Sequence, residues 1–369
     1  MLLLVYIIMI LYLIYLVWIT EPLFLKNESY KHYHQPFVSI IISAKNESNN
    51  IAKLLHGLAN QNYPKEKYEI IVANDKSTDD TLNILLKYEE EIENLSILNI
   101  KETPDNWASK KWALNKVIEY ASGDIILQTD ADCRHHKNWV LKMMQPFSES
   151  NIGFVAGPSY IGRYSNFWNQ ILKLESIAQE SFSYANSKRK LYLSCTARNI
   201  AFKKTVFYEV NGYEDISHIA SGDDDLLLHK TVTQTSWKIK YISNFESVVS
   251  SEAPQSIKSF YLQRLRYASK GLLYYQIPTP NEVKIILPFL LISNFMCIVS
   301  IVMFINNQEW AWLFPIIIKS ISDIILISKY MEKIRMKFKI LNFIILTIIH
   351  PFYVVILGTL APFIRVAWK

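Results

Sequence analysis

The sequence predicts an α/β domain with a largely parallel sheet, held to a membrane by one N-terminal and three C-terminal helices. Three observations lead there. Strand-like and helix-like segments alternate at short spacing between residues 38 and 128, the pattern of a parallel sheet covered by helices. Long apolar runs occupy both ends of the chain. The polar residues of the middle segment gather where predicted strands end, the rim at which such sheets bind ligands.

Residues 2–19 are almost unbroken apolar sequence, enough for a span of roughly 20 residues. No basic stretch precedes them and no small-residue cleavage site follows, so we expect a retained anchor and not a removed signal peptide. Residues 38–42 form a β-rich run between Pro36 and Asn46-Glu47-Ser48. Residues 51–58 then show helical spacing, with Ile51, Leu54, Leu55 and Leu58 on one face. A second strand is expected over 68–73, a helix over 81–88 and a third strand over 95–100. A helix over 110–121 and a fourth strand over 125–128 follow. Residues 285–305, 310–328 and 340–363 close the chain as three further spans. The expected organisation is an anchor (1–20), an α/β domain (36–250), an amphipathic membrane-interface segment (251–284) and a three-span region (285–369).

The loop 306–309 has no Lys or Arg, whereas Lys329, Lys333, Arg335, Lys337 and Lys339 crowd the next one. Basic loops stay inside. The α/β domain is therefore expected on the cytoplasmic face of the plasma (inner) membrane with both termini outside, although Arg365 and Lys369 weigh mildly against this. A net charge of +6 suits an anionic membrane face and phosphorylated substrates. No zinc finger or RNP motif accompanies that charge, so no nucleic-acid partner is expected. Cys133, Cys195 and Cys297 are scattered and form no CxxC, which argues against a disulfide framework or a zinc site.

The chemistry is narrowed by what is missing. The nine glycines never form GxGxxG or GxxxxGK[ST], and no serine sits in GxSxG. What remains is acidic. The stretch DIILQTDADC ends a buried strand on Asp130 and Asp132, two like charges that require a cation or strong donors between them. Lys110 and Lys111 open a helix, and SGDDDLLL follows at 221–228. Carboxylates for a hard metal, a lysine for phosphates and another carboxylate for a proton fit a metal-assisted reaction on a diphosphate.

VSIIISAKNESNNIAKLL, VANDKSTDDT, SKKWALN, TDADC, GDDDLLL and QRLRY resemble, in that order over about residues 36–270, the motifs of family 2 glycosyltransferases of GT-A fold. The resemblance implies that residues 36–250 are a nucleotide-diphospho-sugar transferase domain. It implies Ser43 and Glu47 in the loop around base and ribose, and Asp75 reading the base, commonly uracil; Asn74 stands where an Asp is frequent. Lys110, before Ala113-Leu114-Asn115, is similar to the lysine near the donor phosphates, with Ser109 in place of the usual Gly. Asp130 and Asp132 resemble the DxD pair that binds Mn2+ or Mg2+. Asp224 resembles the catalytic base, with Asp223 and Asp225 as alternatives in the triplet. Gln263, Arg264, Arg266 and Tyr267 resemble the QxxRW donor-site motif of hyaluronan, chitin and cellulose synthases, with Tyr for Trp. The implied activity is an inverting transfer from a nucleotide sugar, UDP-linked, to a lipid-linked or polysaccharide acceptor. A few-span protein of this kind suits single or few additions unless it forms homo-oligomers. The alternative is a catalytically silent GT-A scaffold that binds nucleotide sugar or a partner synthase.

Several residues carry a plainer reading beside the functional one. His135 and His136 follow the DxD but are expected in a solvated loop. The Asp triplet also suits a helix N-terminus. Residues 167–174 fit a membrane-interface helix or core packing, and 256–275 a helix on the membrane face. Residues 188–190 read as a solvated basic patch. Lys319 and Asp323, four apart within a span, are expected to pair with each other; binding a lipid phosphate or a moving sugar is the sharper alternative.

Overall fold

A computed structural model describes residues 1–25, 35–163 and 166–364; Arg365 and Lys369 lie outside the described residues. The chain forms two compact units, and it passes between them more than once. One unit holds residues 35–163 and 194–252, the other 1–25, 166–193 and 253–364.

The first unit is built on β1 (Val38–Ala44), β2 (Tyr68–Asp75), β3 (Leu95–Ile100), β4 (Ile125–Gln128), β5 (Ile152–Ala156), β7 (Ile200–Lys203) and β8 (Lys238–Tyr241). They form one sheet in the order β3-β2-β1-β4-β7-β5-β8, while β6 (Ser159–Ile161) pairs with β9 (Val249–Ser251). β7 runs antiparallel to both β4 and β5, and the other pairs are parallel. The sheet is thus mixed but mostly parallel, as expected. β1, β2 and β4 are apolar and buried nearly throughout, the signature of strands covered on both faces. Their register aligns the carboxyl ends: Ala44 lies beside Asn74, and Ile41 beside Gln128. Three polar loops therefore leave the sheet on one rim.

In chain order the helices are α1 (Leu2–Thr20), α2 (Ile51–Ala59), α3 (Thr81–Glu91), α4 (Ser109–Tyr120), α5 (Trp139–Met144) and α6 (Phe167–Ser187). Then come α7 (Lys204–Glu209), α8 (Asp225–Gln234), α9 (Ile257–Ala268), α10 (Asn281–Asn307), α11 (Phe314–Lys333) and α12 (Ile340–Leu360). Ile51, Leu54, Leu55 and Leu58 of α2 are buried in the sheet's core, as their spacing predicts.

The second unit contains α1, α6 and α9 to α12. Four of its segments are long and apolar enough to cross a membrane: Leu2–Phe24, Asn281–Asn307, Trp310–Lys333 and Ile340–Leu360. α1 is apolar all round but not equivalent all round. Val5, Met9, Tyr12, Leu16 and Ile19 are buried, whereas Leu4, Ile7, Leu11, Ile14 and Trp18 are exposed, a spacing that gives one helix a protein face and a lipid face. Tyr6 Oη donates to Ala311 O at 2.8 Å, Tyr12 Oη to Asp323 Oδ1 at 2.6 Å, and Lys333 Nζ to Leu25 O at 2.8 Å. α1 and α11 therefore run parallel. Val5 and Met9 pack with Cys297 of α10, and Tyr15 contacts Phe289, so α10 runs against α1. The 306–309 loop, which has no Lys or Arg, and the basic segment after Lys333 thus lie at opposite ends of these three helices.

Lys319 and Asp323 pair at 2.6 Å, and Tyr12 completes the group. Every charge in this triad has a partner, which favours the structural reading of the pair.

Candidate active site

β1 delivers Ser43 and then the 45–50 loop. That loop is stitched to the one after β2. Asn46, at φ 56°, receives Thr78 N–H on its side-chain oxygen at 2.8 Å, and Ser48 N–H donates to Asp79 at 3.2 Å. Glu47 N–H donates to Thr81 Oγ1 at 2.8 Å. These contacts hold Glu47 half-buried, where burial pushes its carboxyl up to about 7; Asp132, Asp130 and Glu252 add repulsion, and Asn50 works the other way.

β2 extends two residues beyond the expected strand, so Asn74 and Asp75 are its last residues. Asp75 is buried at 1% exposure. Its Oδ1 accepts from Ser109 Oγ at 2.6 Å and lies 3.5 Å from Lys76 Nζ, while its buried Oδ2 has no partner. An orphaned buried carboxylate oxygen is costly, and it marks a place for a ligand donor. Ser109, read as a substitution for Gly, supplies a hydroxyl to that carboxylate. Sequence spacing gives no sign of this.

Lys110 joins two parts of the site. Its ammonium lies 3.0 Å from Asp130 Oδ1 and 2.9 Å from Asp223 Oδ2. Burial opposes its charge, but Asp130 and Asp223 outweigh burial and hold its pKa above the usual lysine value. Asp223, buried and also bonded to Gln128 Nε2 at 2.9 Å, is held below the usual carboxylate range because Lys110 overrides its burial. Lys111 turns the other way. Its ammonium donates to the carbonyls of Ile216, Ile219 and Ser221 at 2.7, 2.9 and 3.0 Å and so pins the loop that leads to the Asp triplet. Gly222, at φ 88°, makes the final turn, a conformation that costs glycine little.

The triplet divides its work. Asp223 faces Lys110. Asp224 caps α8: its oxygens accept from Asp225 N–H at 2.7 Å and Ala197 N–H at 2.8 Å, while it stays more accessible than Asp223 or Asp225. Asp225 is buried in the first turn of the helix. Cap and rim positions thus occur side by side in three residues.

Burial and the neighbouring Asp130 push the Asp132 carboxyl up, despite Arg198 and Arg163 nearby. Arg163 donates to Asp132 O, and Glu252 N–H donates to Asp132 Oδ2 at 3.2 Å. Asp130 and Asp132 offer hard oxygen donors beside Lys110, Arg163 and Arg198, so they fit a divalent cation. Among the described residues no three His, Cys, Asp or Glu side chains form a metal cage. Two carboxylates would leave positions for the oxygens of a diphosphate.

His135 departs from the expected solvated loop. Thr129 Oγ1 gives its proton to Arg198 O at 2.9 Å and lies 2.8 Å from His135 Nε2, so Nε2 carries hydrogen. The ring packs on Trp139 with centroids 4.0 Å apart. Burial, then Arg134 and Arg163, lower its pKa to about 3. The correction has a physical reason: an aromatic neighbour four residues on covers part of the ring and leaves the residue half-buried.

Gln263, Arg264, Arg266 and Tyr267 lie on α9, in the unit with the membrane helices. Arg264 is buried in an ion pair with Glu175, which also accepts from Tyr353 Oη at 2.7 Å. Arg266 lies over the Tyr267 ring at 5.6 Å. Ser109, Gln128, Arg163 and Glu252 join the rim without having been picked out as site residues. A polar residue closing a buried strand, as Gln128 does just before Asp130, was the one signal available.

With this geometry in place, comparison with known proteins is informative. Residues 39–210 match the Glycosyl transferase family 2 model. Glycosyltransferase AglE of Haloferax volcanii is 31% identical over 202 residues, 51% of this chain and 59% of that protein. The β-monoglucosyldiacylglycerol synthase of Nostoc sp. is 34% identical over 147 residues, 38% of this chain and 31% of that protein. The chain therefore spans less than two thirds of either relative. A mannosyltransferase of Pyrobaculum calidifontis, solved with GDP-Man and Mn2+, aligns with a TM-score of 0.61 at 16% identity, covering 97% of this chain and 95% of that one. That likeness extends to the fold, which is GT-A-like.

Proposed function

We infer, from a domain at residues 39–210 that belongs to glycosyl transferase family 2, that this chain is a membrane-bound inverting glycosyltransferase. It moves a sugar from a nucleotide-diphosphate donor, UDP-linked, to a lipid-linked or polysaccharide acceptor. A relative named for synthesis of a glucosyldiacylglycerol supports the lipid acceptor, as do the four candidate spans. The domain would work on the cytoplasmic face of the plasma membrane, the side on which the basic residues 329–339 are expected.

The observation that carries the proposal is Lys110 held between Asp130 and Asp223, next to an oriented Asp224. The unpartnered Oδ2 of Asp75 accepts a ring N–H of the base. Lys110 sets fixed positive charge against the departing diphosphate, which gains negative charge as its bond to the sugar breaks. An acceptor hydroxyl attacks the anomeric carbon from the opposite side. Its proton passes to Asp224, and the nucleoside diphosphate leaves with the bonding electrons. A divalent cation on Asp130 and Asp132 would supply Lewis-acid neutralisation of the same oxygens.

Purified full-length protein, given several nucleotide sugars with manganese and mixed membrane lipids, should release nucleoside diphosphate and yield a lipid product heavier by one sugar. Asp224→Asn should lower turnover by about 10²–10⁴-fold while donor affinity stays within about twofold. Full turnover in that variant would remove Asp224 from the base role. Donor binding without turnover in the wild type would favour a silent scaffold.

A further inference from the structure

The chain turns as β2 ends. Lys76, at φ 55°, folds back so that its ammonium lies 3.5 Å from Asp75 Oδ1 and donates to Thr103 Oγ1. Ser109 Oγ donates to the same Oδ1 at 2.6 Å and lies 3.3 Å from Thr103 Oγ1. Asp75, Lys76, Thr103 and Ser109 thus close a ring, and both donors to the carboxylate converge on one of its oxygens. Oδ2 stays buried with no partner among the described residues. Asn74, whose Oδ1 is also buried and unpartnered, leaves the opposite face of β2, where its amide donates to Asn99 Oδ1 at 2.8 Å.

This asymmetry matters to a base. A carboxylate oxygen has about two acceptor sites, and Oδ1 has a donor for each. Guanine presents two parallel N–H groups, the ring N1–H and an exocyclic N2–H, a fork that calls on both carboxylate oxygens. Uracil presents a single ring N–H between two carbonyl oxygens. A bare Oδ1 would stand against one of those carbonyls, and the donors from Ser109 and Lys76 mask it. The same masking leaves guanine with an N–H unmatched in a buried place.

We propose that the Ser109 hydroxyl, together with Lys76, sets base specificity by occupying Asp75 Oδ1, so that the donor site takes a uracil nucleotide and rejects a guanine one. The inference rests on the reading of Asp75 above as the group that meets the base. A serine that merely braced the start of α4 would leave the preference between bases unchanged.

The test titrates the full-length protein, with manganese present, with UDP and with GDP by calorimetry. The wild type should hold UDP about 10–100-fold more tightly than GDP. Ser109→Ala should narrow that ratio by about fivefold or more, chiefly through tighter GDP, and Ser109→Thr should keep it. Lys76→Met, at a partly exposed side chain, should narrow the ratio in the same direction and keeps the question decidable should Ser109→Ala fail to fold. Taking the ratio cancels any general loss of affinity for diphosphate. A wild type that binds UDP with a ratio unmoved by Ser109→Ala and by Lys76→Met would overturn this inference alone. So would a wild-type preference for GDP. A wild type that binds neither nucleotide would overturn the donor-site reading beneath it.

Discussion

Lys110 shows how one side chain can be both structural and poised for chemistry. It neutralises Asp130 at the end of β4 and Asp223 before α8, so its loss leaves two carboxylates facing each other in a partly buried place. Lys110→Ala should lower kcat/KM by about 10²–10³-fold, measured as nucleoside diphosphate release, and Lys110→Arg should retain part of the activity. His135 gives a pH prediction. Its folded pKa, about 3, lies below the unfolded value of roughly 6.5, so the unfolded chain binds more protons between those values. The stability it confers is complete above pH 6.5 and is lost as pH falls towards 3. Between pH 6.5 and 5 that loss should amount to about 1–2 kcal/mol, and His135→Gln should flatten this part of the curve in thermal melts. Asp130, Asp132, Lys110 and the Asp triplet were legible in sequence because each follows a strong local signal, a strand end or a helix start. The parts played by Ser109, Gln128 and Lys111 were not, since their partners lie about 30 to 110 residues away.

Elements were legible in proportion to their length and burial. β1, β2 and β4 are continuous apolar runs, so their positions could be read directly. β5 to β9 have three to five residues each, too few for an alternation to register, and β7 reverses direction within the sheet. Side-chain bonds hold this short-stranded half together. Asn199, buried just before β7, accepts from Trp139 Nε1 at 2.8 Å and donates to the carbonyls of Pro158 and Ser247, each at 2.8 Å. Asn199→Ala would orphan three buried groups at about 1–3 kcal/mol each. We expect a loss of at least about 3 kcal/mol in chemical denaturation. α6 was read only over its first turns. Its buried Glu175, Glu180 and Asn186 break the apolar pattern that would have extended it.

For the whole molecule, the four spans were the most legible feature, because a run of some twenty apolar residues has few soluble interpretations. The assignment of residues 166–193 to the membrane unit was not, because α6 mixes polar and apolar residues and its partners come from both ends of the chain. The Lys319–Asp323–Tyr12 group makes a prediction at this scale. Asp323→Ala leaves a buried ammonium unpaired and should cost about 3–5 kcal/mol, read as a lower melting temperature in detergent. Lys319→Ala with Asp323→Ala should cost less than either change alone and should leave sugar transfer intact.

The bond from Tyr12 to Asp323 joins positions 311 residues apart. At ribosomal rates of roughly 5–20 residues per second, about 15–60 s pass between the emergence of the tyrosine and that of the aspartate. Throughout that interval the first helix must survive in lipid without its eventual companions. Leu2 to Thr20 is suited to the wait: the helix carries no ionised side chain at all, and the lysine and aspartate that need each other arrive later, four residues apart on a single segment. Moving either charge onto the early helix would leave it stranded in hydrocarbon for most of the protein's synthesis.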